Sequence, residues 1–158
     1  MPLALRDTFY PYGMLNGMPM PTLRVKKESA TTWVKGAVII ATSGYAVEAA
    51  DGPTTGTILG VAHEAAVAGQ LTALIVPALP EVVFSGKIAT GDTGGDYTSL
   101  VTNRYLRYGV SLDSSGAWYI NAADTTDLAV MVLDFIDAIG DNLAKVQFCF
   151  IDSKFNAI

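Results

Sequence analysis

The chain has 158 residues, of which 51% are hydrophobic and 16% charged, with a formal net charge of −5, one histidine and one cysteine. That length fits one domain able to bury a core without disulfides or a structural metal. The composition excludes a disulfide scaffold, a disordered acidic chain and a strongly basic nucleic-acid binder.

The longest stretches without a charge, residues 8–23 and 65–80, are 16 residues each and contain prolines, whereas a spanning helix needs about 20 apolar residues. No membrane contact is expected. At the N-terminus Asp7 and then Pro11, Gly13, Asn16 and Gly17 interrupt any apolar run, so no export signal is expected. The unpaired Cys149 suits a protein made in reducing cytoplasm.

Residues 1–35 carry five basic side chains against two acidic ones, a local charge of +3, and the remainder carries five against thirteen, or −8. Four of the seven prolines and four of the five methionines also lie in the first 32 residues. Prolines at that density remove backbone donors and bias their neighbours to extended conformations, which predicts an extended N-terminal arm over residues 1–32. Disordered tails are poor in aromatics, and Phe9, Tyr10 and Tyr12 predict that this arm docks onto something. Two fates are open to it: packing on its own domain or a neighbouring subunit, or lying on another protein. The candidate contact residues are Phe9, Tyr10, Tyr12, Met14, Met18, Met20, Arg24, Lys26 and Lys27.

Residues 33–158 read as one β-rich domain, with room for two β lobes. Strands are predicted at 33–40, 45–49, 57–62, 71–76, 81–88, 105–112, 117–121, 128–136 and 145–152, each short, rich in Val, Ile, Tyr, Phe or Trp and mostly bounded by Gly, Ser, Asp or Pro. Ser43-Gly44 and the 113–116 segment are predicted turns. Val146, Phe148 and Phe150 should share one face of the last strand, with Gln147, Cys149 and Ile151 on the other. Residues 128–139 also fit a helical stripe, but the nearly continuous apolar run at 130–136 favours a strand. Residues 65–73 could hold a short helix.

Chemistry is sparse. His63 is the only histidine, and no Gly-x-Ser-x-Gly elbow accompanies it, so it is expected to be a polar residue at a strand end and no catalytic residue is assigned. One His and one Cys cannot make a structural zinc site. The loop at 90–97, with Asp92 and Asp96, loosely resembles a calcium loop without EF-hand spacing, and a solvated turn is the better reading. Phosphate-loop spacings are missing around Gly86-Lys87 and Gly94-Gly95, so no metal, nucleotide or other cofactor is expected. The acidic body argues against nucleic acid as a partner.

The extended proline-containing arm, the opening segment 33–40, the hairpin at 43–49, the Gly-rich turn at 56–65 and the closing pair at 129–136 and 145–151 are together similar to the head decoration, or cement, proteins of tailed bacteriophages. The resemblance is architectural and covers the chain from about residue 20. With the strand pattern it implies an all-β fold, a compact antiparallel β-barrel or β-sandwich of the β-tulip type with an extended N-terminal arm and little helix. It further implies a structural virion protein on the outside of an expanded capsid, with the major capsid protein as partner, a homo-oligomer with a trimer favoured, and no enzymatic activity. The alternative is another phage structural module, such as a tail, fibre or glycan-binding domain, with Tyr108, Trp118 and Tyr119 exposed in a shallow groove.

Overall fold

The computed structural model describes residues 8–91 and 97–155 and contains eleven strands. In chain order these are β1 (Tyr10–Met14), β2 (Leu23–Lys26), β3 (Val38–Thr42), β4 (Tyr45–Glu48), β5 (Ile58–Ala62), β6 (Thr72–Pro77), β7 (Val82–Ala89), β8 (Arg107–Leu112), β9 (Trp118–Asn121), β10 (Val130–Phe135) and β11 (Lys145–Phe150). Among the described residues the helical elements are two 3-10 turns, Thr55–Thr57 and Val101–Asn103, and no helix is long and apolar enough to cross a membrane. The fold is all-β; each of the nine predicted strand segments overlaps a strand, and the other two strands, β1 and β2, lie in the segment predicted as an extended arm.

Strands β7, β11, β10, β8 and β9 pair in that order, and β9 returns to β7 to close a five-stranded barrel. The closing contact is parallel, Ile88 beside Ile120 and Ala89 beside Asn121, while the other barrel pairings are antiparallel. Strand β1 takes the first half of the same β7 edge, with Tyr10 opposite Ser85 and Met14 opposite Val82. A second, antiparallel sheet runs β2-β6-β5-β3-β4, leaving β2 and β4 as its edges.

The period-2 pattern of β11 explains why the barrel forms. Val146, Phe148 and Phe150 are fully buried, and Phe148 packs against Phe84 and Phe9 at ring separations of 5.8 and 4.7 Å. Such tilted and offset rings add to the apolar burial itself. Residues 130–135 are a strand and not a helix because β8 and β11 offer hydrogen-bonding edges on both sides, burying Val130 and Val132 between them. Residues 65–73 form no helix: Ala66 exchanges backbone hydrogen bonds with Trp33, and a turn then leads into β6. The strand expected over 33–40 starts only at Val38, because Gly36 adopts a φ of 87°. At the tip of the β3–β4 hairpin Ser43 and Gly44 both have positive φ, 50° and 85°, as a two-residue primed turn requires.

One continuous buried cluster takes side chains from both sheets, among them Ile39, Ile58 and Ile75 from the second sheet and Phe84, Val132 and Phe148 from the barrel. Polar ties cross the same junction. Thr8 Oγ1 donates to Gly36 O (3.0 Å) and accepts from Trp118 N (3.3 Å), and Asp51 Oδ1 accepts from Leu112 N (2.8 Å).

Candidate partner-binding surfaces

The strands place the few reactive side chains in structural roles. His63 follows β5, where its backbone N–H donates to Leu74 O at 3.0 Å and its ring Nδ1 is buried without a partner. The neighbouring Glu64 is occupied by the fold: its Oε1 accepts from Leu74 N, and its carbonyl accepts from Trp33 Nε1. The Cys149 thiol is buried, which pushes its pKa up and keeps it protonated and unreactive. Among the described residues no group of three or more His, Cys, Asp or Glu could hold a metal ion. Residues 92–96, with both carboxylates of the loosely calcium-like loop, lie outside the described residues.

The three aromatics offered for a glycan groove are not on the surface. Trp118 is fully buried, and Tyr108 and Tyr119 are buried as well: Tyr108 and Trp118 belong to the main core cluster, and Tyr119 to a smaller one with Ala89 and Ala117. Tyr108 Oη accepts from the Asn103 side-chain amide at 2.8 Å, and burial leads the causes that raise the phenol's pKa.

Residues 8–32 pack on their own chain, which is the first of the two fates the sequence leaves open. Phe9 is fully buried, with its ring against Phe148 and its backbone leading straight into β1. Lys27 is only 1% exposed, and its Nζ donates to Glu28 O (2.9 Å) and Gln70 O (2.7 Å). These two residues hold the body together and do not face a partner. Met14 and Met20 are half-buried and pack against the core cluster. The segment supplies an edge strand to each sheet, β1 on β7 and β2 on β6.

The candidate residues that remain exposed lie on β1, the loop after it and β2, with Leu15 and Leu23 exposed beside them in the chain. Tyr10 and Tyr12 (57% exposed) project from β1, Leu15 and Met18 from the connecting loop, and Leu23, Arg24 and Lys26 from β2. Arg24 Nη1 donates only to Thr72 Oγ1 at 3.3 Å, and among the described residues neither Arg24 nor Lys26 has a carboxylate within ion-pair distance. An open apolar recess of about 290 Å³ adjoins β2, lined by Val25 and Lys26 on one side and Ala41, Gly44, Tyr45, Ala46 and Leu59 on the other. The recess marks the gap between the two unpaired edges of the second sheet, a feature that residue types alone could not reveal.

A second exposed apolar group is assembled from segments distant in the sequence. Leu100, Val101, Tyr105 and Leu106 before β8, and Ile136 and Ile139 after β10, are all exposed. The two segments are stitched side by side: Tyr105 N donates to Val132 O, Val132 N to Leu106 O, Ser99 N to Asp141 O and Gly140 N to Ser99 O. Comparison with family models finds no match for this chain, and comparison with curated proteins finds none either.

Proposed function

We propose that this chain is a structural virion protein, made in the host cytoplasm, that binds the exterior of an expanded phage capsid and stabilises it without catalysing a reaction. The observation that carries the reading is the run of exposed side chains along β1, the 15–22 loop and β2. It joins exposed aromatic, Met and Leu side chains to two cations without carboxylate partners, on strands that are both sheet edges. Edge strands pair with an extended partner segment through main-chain hydrogen bonds, and the side chains that alternate along them supply specificity. The major capsid protein is the partner proposed, through an acidic and apolar surface.

The physics of attachment differs from that of a free strap. Ordering about twenty free residues would cost about 1–2 kcal/mol each in backbone entropy. Here residues 8–27 are already ordered on their own chain, so docking starts from a preformed surface and spends little of its gain on ordering. A protein that binds only the expanded shell stabilises that shell by mass action. In a homo-oligomer, for which a trimer is favoured, each further contact after the first is intramolecular and multiplies the hold.

The test is attachment of purified protein to expanded, undecorated shells. A variant combining Tyr12→Ser, Met18→Ser and Arg24→Glu keeps Phe9 and Lys27 and so should fold, yet its occupancy should collapse. Raising salt should weaken wild-type attachment modestly, because exposed charges are screened. Full occupancy by the folded triple variant overturns the reading.

A further inference from the structure

We propose that the seam between β2 and β4 takes an extended segment of a partner protein in which apolar and acidic residues alternate, added as a further strand to the second sheet. The inference deepens the attachment reading and rests on it for the protein that supplies the segment; the chemistry of the segment follows from the seam alone. The order β2-β6-β5-β3-β4 leaves β2 and β4 as edges, yet the sheet curls until the two come within 8 Å of each other, Cα to Cα, without pairing among the described residues. Paired strands lie about 4.8 Å apart, and the two neighbours of an inserted strand about twice that. At its closest the seam is narrower than an inserted strand needs, but β2 and β4 share no ladder, so widening it breaks no strand pairing.

Three observations carry it. The first is the direction of the free backbone groups. Lys27 N donates to Leu71 O in continuation of the β2–β6 register, so the odd-numbered residues of β2 bond to β6, and Arg24 and Lys26 turn their N–H and C=O groups to the seam. Ala49 N donates to Val38 O in continuation of the β3–β4 register, so Ala46 and Glu48 turn theirs away from β3 in the same manner. Two facing rows of alternating donors and acceptors match the two sides of an extended polypeptide, which is how a strand adds to a sheet edge.

The second observation is the floor of the seam. Val25 and Ala46 are buried, and with Ala41 and Leu59 they line the apolar recess of about 290 Å³ that opens there. Every other side chain of an added strand points down at this floor and is best apolar. The third observation is the rim. The pleat that turns Val25 inward turns Arg24 and Lys26 outward, and neither has a carboxylate within ion-pair distance among the described residues. Glu48, the carboxylate on the facing strand, is on the inward face with Ala46 and accepts from Trp118 Nε1 at 3.4 Å, so it does not answer the two cations. The outward side chains of the added strand therefore meet unanswered positive charge, and acidic residues complement it. A chain of net charge −5 repels acidic partners elsewhere, which makes this basic edge the place where one approaches.

The experiment is amide hydrogen exchange, followed residue by residue by NMR, on the full chain with a blocked hexapeptide of alternating glutamate and valine. In the free protein the amides of Arg24, Lys26, Ala46 and Glu48 should exchange fast, and they should slow about tenfold when the peptide stands at about ten times its dissociation constant. A peptide of the same composition with glutamates and valines in separate blocks should slow them far less. Arg24→Pro and Lys26→Pro each remove a donor that faces the seam and none that bonds to β6, so both should fold. Each should weaken peptide binding about tenfold or more through the lost hydrogen bond and charge, whereas Lys26→Gln, which keeps the donor, should weaken it less. Slow exchange before any peptide is added overturns the proposal, since the seam is then filled by the chain itself or by a second copy. Equal binding of the block peptide, or by a folded proline variant, overturns it too. Shells decorated by a wild type that does not bind the alternating peptide overturn the seam and leave the attachment reading standing. Full decoration by a folded Lys26→Pro protein that has lost the peptide overturns the capsid as the source of the segment.

Discussion

At the scale of single residues, close approach and burial decide which substitutions matter. A Cβ on Gly86 would lie 2.5 Å from the Phe9 ring and 3.1 Å from that of Phe148, and both rings are locked in the core. Gly86→Ala should therefore destabilise by about 1–3 kcal/mol through overpacking, read as a lower midpoint in denaturant. Glu48 offers a pH signature. Burial pushes its pKa above the usual 4.5, opposed by the hydrogen bond from Trp118 Nε1 at 3.4 Å. A carboxyl whose folded pKa is raised costs stability when ionised, so the cost is fully present above the raised value and vanishes as the pH falls to 4.5 and below. Glu48→Gln keeps an acceptor for Trp118 and removes the charge, so it should raise stability at pH 7 by a margin that closes by pH 4. Thermal midpoints across that range check it, and a margin independent of pH would contradict the assigned cause.

At the scale of elements, the N-terminal segment is the informative case. Its prolines and aromatics made an extended, docking segment legible, but not its target. Period and propensity report which side chains want burial, not whose surface buries them. Phe9 reads like the other aromatics in the sequence, yet it alone among Phe9, Tyr10 and Tyr12 enters the core, because β1 pairs along β7 and the pleat turns alternate residues inward. Phe9→Ala should cost about 3–5 kcal/mol, as expected for emptying an aromatic site. Deleting residues 1–14 removes both Phe9 and β1 and should leave the remainder partly unfolded by circular dichroism. A truncated chain that unfolds as cooperatively as the intact one would show that β1 is dispensable to the body. The candidate docking residues divide by the same logic: Tyr12, Met18, Arg24 and Lys26 face outward, whereas Lys27 follows Lys26 in the chain and is buried because two carbonyls, Glu28 O and Gln70 O, wait for its ammonium.

At the scale of the whole molecule, two sheets share one buried cluster and are tied across their junction by Thr8, Asp51 and Trp118. Calorimetry should record a single unfolding transition whose van't Hoff and calorimetric enthalpies agree, even though the strands form two separate sheets. Two resolved transitions would mean that the sheets are independent bodies and that the shared cluster contributes little. Cooperative unfolding matters for the proposed role, because a rigid unit transmits the stability of its contacts to whatever shell it grips.

The strand content, most turn positions and the inward face of β11 followed from the sequence, since hydrophobic period and Gly, Asp and Pro punctuation are local properties. Strand partners are not local. Nothing in residues 10–14 or 118–121 states that β1 and β9 share one edge of β7, that the barrel closes through a parallel contact, or that three aromatics apt for a glycan groove are buried. The exposed face around Tyr105 was equally hidden, because its apolar residues lie some 30 positions apart in the chain and meet only when β8 pairs with β10. Which side chains want to leave water was written in the chain; which of them have somewhere to go was decided by the pairing of distant strands.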